Sequence, residues 1–136
     1  MQWAIVRLKL HGNELDDPGI SSRWKLTVVL SVDCSDSCIL TSLFTSKVER
    51  FAGGRFDREI LRVAGGDYDF LPLDSVLSFA EPKDIDRASL LRRFLDGDLS
   101  FEGQLRSAHA KEVESKIRCS TRIVRGHKKR IVPGFG

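Results

Sequence analysis

The sequence predicts an α+β domain, in which a small, partly closed barrel of roughly five to six mostly antiparallel strands precedes two helices. Two patterns along the chain indicate this class. Up to Pro82, short apolar segments alternate with polar residues at a period of two and are separated by turn residues, which is typical of strands. After Pro82 the apolar period becomes about 3.6, which is typical of helices. Partial closure of the sheet would remove exposed strand edges.

The first strands centre on a predicted β-hairpin over residues 23–46. Residues 3–10 alternate apolar and polar side chains and form the first predicted strand. In the hairpin, two alternating segments flank the sequence CSDSC, whose Ser and Asp residues favour a turn. The loop of residues 11–22 contains the turn signal Pro18-Gly19, and a loop of this length is often functional.

Later elements follow from the same rules. Strands are predicted over residues 56–63, 68–71 and 76–80, the last two being separated by Pro72, which cannot donate to a strand pairing. Asp84 or Asp86 is expected to cap a first helix that ends near Gly97. A second helix is expected to begin at Ser100 and to bury a stripe that consists of Phe101, Leu105, Ala108, Val113 and Ile117.

The core is predicted to draw on both the strands and the helices. Alternation in the strands and the helical period give ten candidate core residues, which are Val6, Leu8, Leu26, Val28, Leu30, Leu43, Ile60, Leu91, Phe94 and Leu105.

Length and charge indicate one domain with a basic tail. The 136 residues suffice for a single core, formed by residues 1–117. Residues 118–136 contain six basic and no acidic residues, whereas the net charge of the whole chain is +3. Such a tail favours an anionic partner, often a nucleic acid, and the alternative is a solvated, frayed terminus. The N-terminal segment is too short and too polar for a signal peptide or a membrane span, so a cytoplasmic location is expected.

Cysteine and glycine patterns do not indicate a cofactor or a metal. The three cysteines, Cys34, Cys38 and Cys119, are expected to be reduced thiols, and their spacing does not match a structural zinc site. Neither Gly53-Gly54 nor Gly65-Gly66 follows the P-loop pattern, and a Gly-x-Ser-x-Gly motif is absent.

The best candidates for chemistry stand at the two polar ends of the hairpin. Arg23 opens it, and Thr45 and Ser46 close it, so antiparallel pairing is expected to bring these residues close together. A guanidinium group binds two phosphate oxygens at once and a hydroxyl donates to a third, which suits a phosphodiester. The alternative is a surface arginine beside two hydroxyls at a strand edge.

Three segments resemble the MazF/PemK-like toxins of toxin–antitoxin pairs. They are Arg23 with LTVVLS (Leu26–Ser31), ILTSLFTSK (Ile39–Lys47) and FLPLDSVLSF (Phe70–Phe79). The chain departs from the family in having Gln2-Trp3 where Gly-Asp is usual, and Trp24 where a Pro usually follows the arginine.

The resemblance implies an SH3-like barrel and metal-independent cleavage of single-stranded RNA, in which the 2′-hydroxyl attacks the adjacent phosphorus. Arg23 would act as acid/base or clamp the developing charge, with Lys25 as the alternative cation, while Thr45 and more weakly Ser46 would orient the phosphate. It also implies a homodimer and an antitoxin protein as partner. The RNA-binding candidates are Lys25, Lys47, Arg55, Arg122, Arg125, Lys128, Lys129 and Arg130.

A non-catalytic function is the competing interpretation. A small barrel with a basic tail can bind single-stranded nucleic acid or a peptide without cleaving it, and an inactive family member would do the same.

Overall fold

The computed structural model describes residues 1–11, 22–32 and 37–135, and the loop of residues 12–21 and the tip of the hairpin lie outside them. The described chain is α+β, as predicted, with seven strands in one sheet and three α-helices. The strands are β1 (Ala4–His11), β2 (Ser22–Val29), β3 (Cys38–Thr45), β4 (Ile60–Val63), β5 (Ser75–Ser78), β6 (Lys83–Asp86) and β7 (Leu99–Gln104). The helices are α1 (Arg87–Leu95), α2 (Ser107–Cys119) and α3 (Arg125–Ile131).

The sheet is antiparallel and open. Its strand order is β4-β5-β3-β2-β1-β7, and β6 also pairs with β3. Among the described strands, β4 and β7 do not pair with each other, so the sheet does not close into the expected barrel. The central hairpin is confirmed, because β2 and β3 pair antiparallel with Thr27 opposite Leu43 and Val29 opposite Thr41.

Both faces of the sheet carry apolar side chains, which explains why consecutive apolar residues interrupt the alternation, as at residues 4–6 and 28–30. One face presents Val28 and Leu40 to the core that α2 and α3 cover. The other presents Val29 and Ile39 to a smaller cluster beneath α1. Five predicted core residues are buried on these faces or at their ends, and Leu105 is buried too, whereas Leu26 and Leu43 are only partly buried.

The packing of α1 differs from the prediction. Asp86 caps this helix by accepting a hydrogen bond from the backbone N–H of Ala88. Only Leu90 is buried on the sheet, whereas Leu91 and Phe94 are each 60 % exposed. The prediction that Leu91 and Phe94 are core residues is therefore wrong, because a short helix resting on one edge of a sheet buries a narrow stripe.

The predicted second helix begins seven residues too early. Ser100 lies in β7, which pairs with β1 through Val6 and Phe101, and α2 begins at Ser107. Phe101 is 65 % exposed and Ala108 is exposed, so only Leu105, Val113 and Ile117 of the predicted stripe are buried. Gly103 allows this strand to approach the neighbouring loop, since a Cβ there would lie 3.2 Å from the Phe70 ring.

Two further strands are shorter than predicted. Residues 56–59 belong to a 3₁₀ helix, Gly54–Glu59, and β4 begins only at Ile60. Residues 68–71 contribute a single bridge between Tyr68 and Leu71. The intervening turn requires Gly66, whose φ of +88° disfavours other residues.

The basic tail packs against the domain. Residues 125–131 form α3, and three apolar side chains of the tail are buried in the main core, namely Ile123, Ile131 and Val132. The described part of the tail is therefore packed on the core and is not a frayed terminus. No helix among the described residues has the length and hydrophobicity needed to cross a membrane.

Candidate functional site

Arg23, Thr45 and Ser46, which the sequence predicted to be neighbours, line one cavity. Extending the observed β2–β3 register toward the sheet end brings Lys25 level with Thr45. The cavity has a volume of about 310 Å³, and we call it the Arg23 cavity. Its lining comprises Arg7, Arg23, Trp24, Lys25, Leu26, Phe44, Thr45, Ser46, Lys47, Phe70, Leu71, Pro72, Leu73 and Ser75.

A second cavity opens beside it, where β3 changes its pairing partner. Residues 38–41 of β3 pair with β6, whereas Phe44 and Thr45 pair with β5. The chain between β5 and β6 leaves β3 at the intervening positions, which produces a cavity of about 390 Å³ that we call the Ser42 cavity. It is lined by Lys25, Thr41, Ser42, Leu43, Phe44, Thr45, Lys47, Arg50, Phe51, Phe56, Ser78, Ala80, Glu81, Lys83 and Arg122.

The two cavities form one surface, which we call the basic groove. They share four lining residues, namely Lys25, Phe44, Thr45 and Lys47. Seven basic side chains and one carboxylate, that of Glu81, line the groove among the described residues. An excess of cations in a concave site attracts anions, since the low-dielectric walls of a cleft focus the field.

Thr45 is oriented by a local hydrogen bond. Its Oγ1 accepts from the backbone N–H of Lys47 at 3.1 Å. The hydroxyl hydrogen can then point away from the backbone toward a bound group. Ser46 is exposed at the end of the strand. Together with Arg23 and Lys25, these side chains offer charged and neutral donors to a phosphate group.

Arg62 fixes two segments that line the Ser42 cavity. Its Nη2 donates to the backbone oxygen of Phe51 at 2.6 Å and to Asp57 Oδ1 at 3.0 Å. These bonds tie both 3₁₀ segments, Val48–Phe51 and Gly54–Glu59, to β4. Phe51 and Phe56 meet edge to face with ring centroids 5.5 Å apart, and both side chains are partly exposed.

Ser42 supplies an unusual group to this cavity. The residue is only 4 % exposed, yet its hydroxyl has no hydrogen-bond partner among the described residues. A buried polar atom without a partner is costly, so such atoms are rare in native proteins. The hydroxyl of this cavity-lining residue therefore has unused hydrogen-bonding capacity.

The remaining RNA-binding candidates separate into three groups. Arg122 lines the Ser42 cavity, and Arg55 stands over the Phe56 ring, 4.5 Å from its centroid. Lys128 donates to the backbone oxygens of Arg118 and Ser120. Arg130 forms an ion pair of 2.8 Å with Asp84 and donates to the Cys38 oxygen. Exposed side chains outside the groove belong to Arg125 and Lys129.

Sequence reasoning missed several residues of the groove. Arg7, Arg50 and Lys83 line it although they come from three different segments of the chain. Lys83 arrives there because β6 pairs with β3, bringing it opposite Thr41. Only the alternation of Arg7 within β1 gave a signal, since it indicated a polar face of that strand.

The described residues contain no group of three or more His, Cys, Asp or Glu side chains arranged to hold a metal ion. Cys38 and Cys119 are free thiols, and Cys34 lies outside the described residues.

No protein-family model matches the sequence, and no curated protein matches it significantly. The function must therefore be argued from the groove itself.

Proposed function

We propose that this protein binds single-stranded RNA along the basic groove. The observation that carries the proposal is the convergence of Arg23, Lys25, Thr45, Ser46 and Lys47 on one cavity. Arginine, lysine and hydroxyl groups are the side chains that contact phosphates in nucleic-acid complexes. Each phosphate neutralised by such a cation releases counterions, which favours binding at low salt.

The shape of the groove favours a single strand over a duplex. Its cavities of about 310 and 390 Å³ have the dimensions of single nucleotides or their parts rather than of a double helix. Aromatic side chains, Phe51 and Phe56, stand beside the cations. Proteins that bind single strands combine a positive groove with aromatic rings on which bases stack.

Cleavage of the bound RNA is a second candidate function, and it is favoured because Arg23 and Thr45 line the same cavity. In this reaction the 2′ oxygen forms a bond to phosphorus while the bond to the 5′ oxygen breaks. The 2′-hydroxyl proton passes to water, and the departing 5′ oxygen takes a proton in return. Arg23 would stabilise the charge on the phosphoryl oxygens, and Thr45 would donate to one of them.

Other parts of the proposal depend on the resemblance to MazF/PemK-like toxins. These are an assembly into homodimers, an antitoxin protein as partner and a cytoplasmic location. Sedimentation of the purified chain would test the dimer, because a monomer has a mass of 15.3 kDa.

The binding proposal is tested by fluorescence anisotropy with a labelled single-stranded RNA and the matching duplex. We expect the single strand to bind more tightly, and Lys47→Ala to weaken it. The control is Lys111→Ala, because Lys111 is exposed on α2 outside the groove. Equal effects of the two substitutions would contradict the assignment of the groove. Gel electrophoresis of the same RNA after incubation in EDTA tests for cleavage.

A further inference from the structure

We propose that the Ser42 cavity is a nucleobase subsite, which selects the nucleotide next to the phosphate bound in the Arg23 cavity. The inference rests on the proposed binding of RNA and identifies what part of the RNA enters the second cavity. Both cavities have Lys25, Thr45 and Lys47 in their walls. A strand whose phosphate lies at these residues therefore has a neighbouring cavity within reach of its base.

The cavity carries the two kinds of group that a base requires. Phe51 and Phe56 expose aromatic surface on segments that Arg62 fixes to the sheet. Unstacked bases of single-stranded RNA bind by stacking on aromatic side chains and by hydrogen bonds to their edges. Ser42 can supply such a bond, because this residue lines the cavity and its buried hydroxyl lacks a partner among the described residues.

A phosphate group alone would not account for these features. Phosphates bind to cations and to exposed donors, and the Arg23 cavity already provides both. An aromatic pair and a buried hydroxyl contribute little to an anion, whereas they match the flat faces and polar edges of a base. The cavity lies at an interruption in the pairing of β3, and the 3₁₀ segments and the connection between β5 and β6 complete its walls.

The charges around the cavity favour guanine. Arg50, Lys83 and Arg122 can donate to acceptors, and Glu81 can accept from donors. Guanine carries the acceptors O6 and N7 side by side, which an arginine or lysine binds together, and its N1–H and N2–H₂ groups can donate to a carboxylate. Uracil offers a smaller face for stacking and fewer donors.

The test measures the affinity of the protein for short RNAs that contain one central nucleotide of choice. Labelled oligouridines made of 2′-O-methyl nucleotides, which cannot be cleaved by attack of a 2′-hydroxyl, carry guanosine, adenosine or uridine at the centre. We expect the guanosine RNA to bind roughly 5- to 150-fold more tightly than the oligouridine, as stacking and edge contacts typically contribute. Ser42→Ala and Phe51→Ala should reduce this ratio.

Each variant has a matched control. Thr27 also has a buried hydroxyl without a partner among the described residues, but its side chain lies on the opposite face of the sheet. Thr27→Val should therefore leave the ratio of affinities unchanged. Phe101→Ala removes an exposed ring outside the groove and serves as control for Phe51→Ala. Thermal denaturation of Ser42→Ala should show no loss of stability, because the substitution removes an unsatisfied group.

The outcomes separate this inference from the proposed function. Two results would overturn the base subsite and leave RNA binding intact. One is oligouridine binding without any preference for guanosine, and the other is a preference that persists in both Ser42→Ala and Phe51→Ala. Failure of all the RNAs to bind would overturn both. A guanosine preference that is lost in these variants and kept in Thr27→Val and Phe101→Ala supports the subsite.

Discussion

Ser120 Oγ donates a hydrogen bond of 3.0 Å to the Glu59 carboxylate, and neither residue is more than 4 % exposed. The same oxygen accepts from the backbone N–H groups of Arg122 and Ile123, at 3.1 and 3.2 Å. The hydroxyl thus joins the segment before β4 to the turn between α2 and α3. This contact helps to hold the basic tail on the domain, with Arg122 in the wall of the groove.

Replacing Ser120 should therefore destabilise the protein. Ser120→Ala removes a donor from a buried carboxylate and an acceptor from two backbone N–H groups, so we expect a loss of about 1–3 kcal/mol or more in the free energy of unfolding. Urea denaturation measures it. Ser100→Ala is the matched control, because Ser100 Oγ makes a bond of the same length to Glu102 at the exposed surface. Similar losses in both variants would contradict the assigned function of the buried pair.

The two neighbouring leucines of α1 provide a second test of the packing. Leu90 is 8 % exposed and Leu91 is 60 % exposed. Leu90→Ala should cost about 2–5 kcal/mol, as is usual for a buried leucine. Leu91→Ala should change stability by about 0.5 kcal/mol or less, since exposed substitutions seldom matter more. Denaturation midpoints of the two variants under identical conditions measure the two losses of stability. A larger loss for Leu91→Ala would contradict the orientation of α1 on the sheet.

The strands were predictable where the alternation was strong and the chain turned sharply. Residues 3–10 and 23–46 gave the correct strands because apolar side chains recur there at every second position, although both faces of β1, β2 and β3 pack against apolar clusters. Residues 100–104 were assigned to a helix because Phe101 and Leu105 happen to be spaced as on a helix. Pairing with β1 outweighs that local pattern, and a long-range contact of this kind is not visible in a local window.

The candidate site was predictable only where its residues belong to one hairpin. Arg23 and Thr45 belong to one hairpin, so local pairing rules suffice to bring them together. Arg50, Lys83 and Arg122 reach the groove from distant segments through the pairing of β6 with β3 and the packing of the tail. The distribution of charge along the sequence showed where the basic residues are concentrated, but it carried no information about which of them converge in the fold.

Tyr68 should make the stability of the protein depend on pH in the alkaline range. Burial raises the pKa of this phenol above its ordinary value of 10.0, a change that the hydrogen bond and positive charge of Arg106 only partly offset. Arg106 N–H donates to the phenol oxygen at 2.9 Å, and the phenol shares a hydrogen bond of 2.7 Å with His109 Nδ1.

The sign of the effect follows from the direction of this pKa change. The folded protein holds the phenol proton more tightly than the unfolded chain, so stability should fall as the pH rises above 10.0. Urea denaturation at increasing pH measures the fall, and Tyr68→Phe should flatten it while lowering stability near neutral pH. Because the chain has one tyrosine, its ultraviolet absorbance reports the titration directly. Ionisation at or below the ordinary pKa would contradict the prediction.

The cations of the tail should contribute unequally to RNA binding. Arg125 and Lys129 are exposed, whereas Lys128 and Arg130 are engaged with backbone oxygens and with Asp84. Deleting the whole tail is a poor test, because it would remove buried core residues. If they contact phosphates, Arg125→Ala and Lys129→Ala should each lower the log–log slope of affinity against salt by about 0.7 without loss of stability. Unchanged slopes would limit the RNA interface to the groove.

The most direct test of the second candidate function concerns Arg23. It lines a cavity with Thr45 and Ser46 at the end of the hairpin, where a guanidinium group can bind two phosphoryl oxygens at once. If the protein cleaves RNA and Arg23 stabilises the transition state, Arg23→Ala should lower the rate by about 10²–10³, which corresponds to ~3–4 kcal/mol.

Two substitutions separate charge from geometry at this site. Arg23→Lys should recover little activity, because a single ammonium group cannot bind two oxygens in the way that a guanidinium does. Lys25→Ala tests the neighbouring cation, since the register brings Lys25 level with Thr45. A larger loss in Lys25→Ala than in Arg23→Ala would identify Lys25 as the functional cation. The assay is cleavage of a long single-stranded RNA in EDTA, with circular dichroism to verify folding. Equal cleavage by wild type and Arg23→Ala would refute the assignment of Arg23, and a wild type that binds the RNA without cleaving it would leave the groove as a binding site alone.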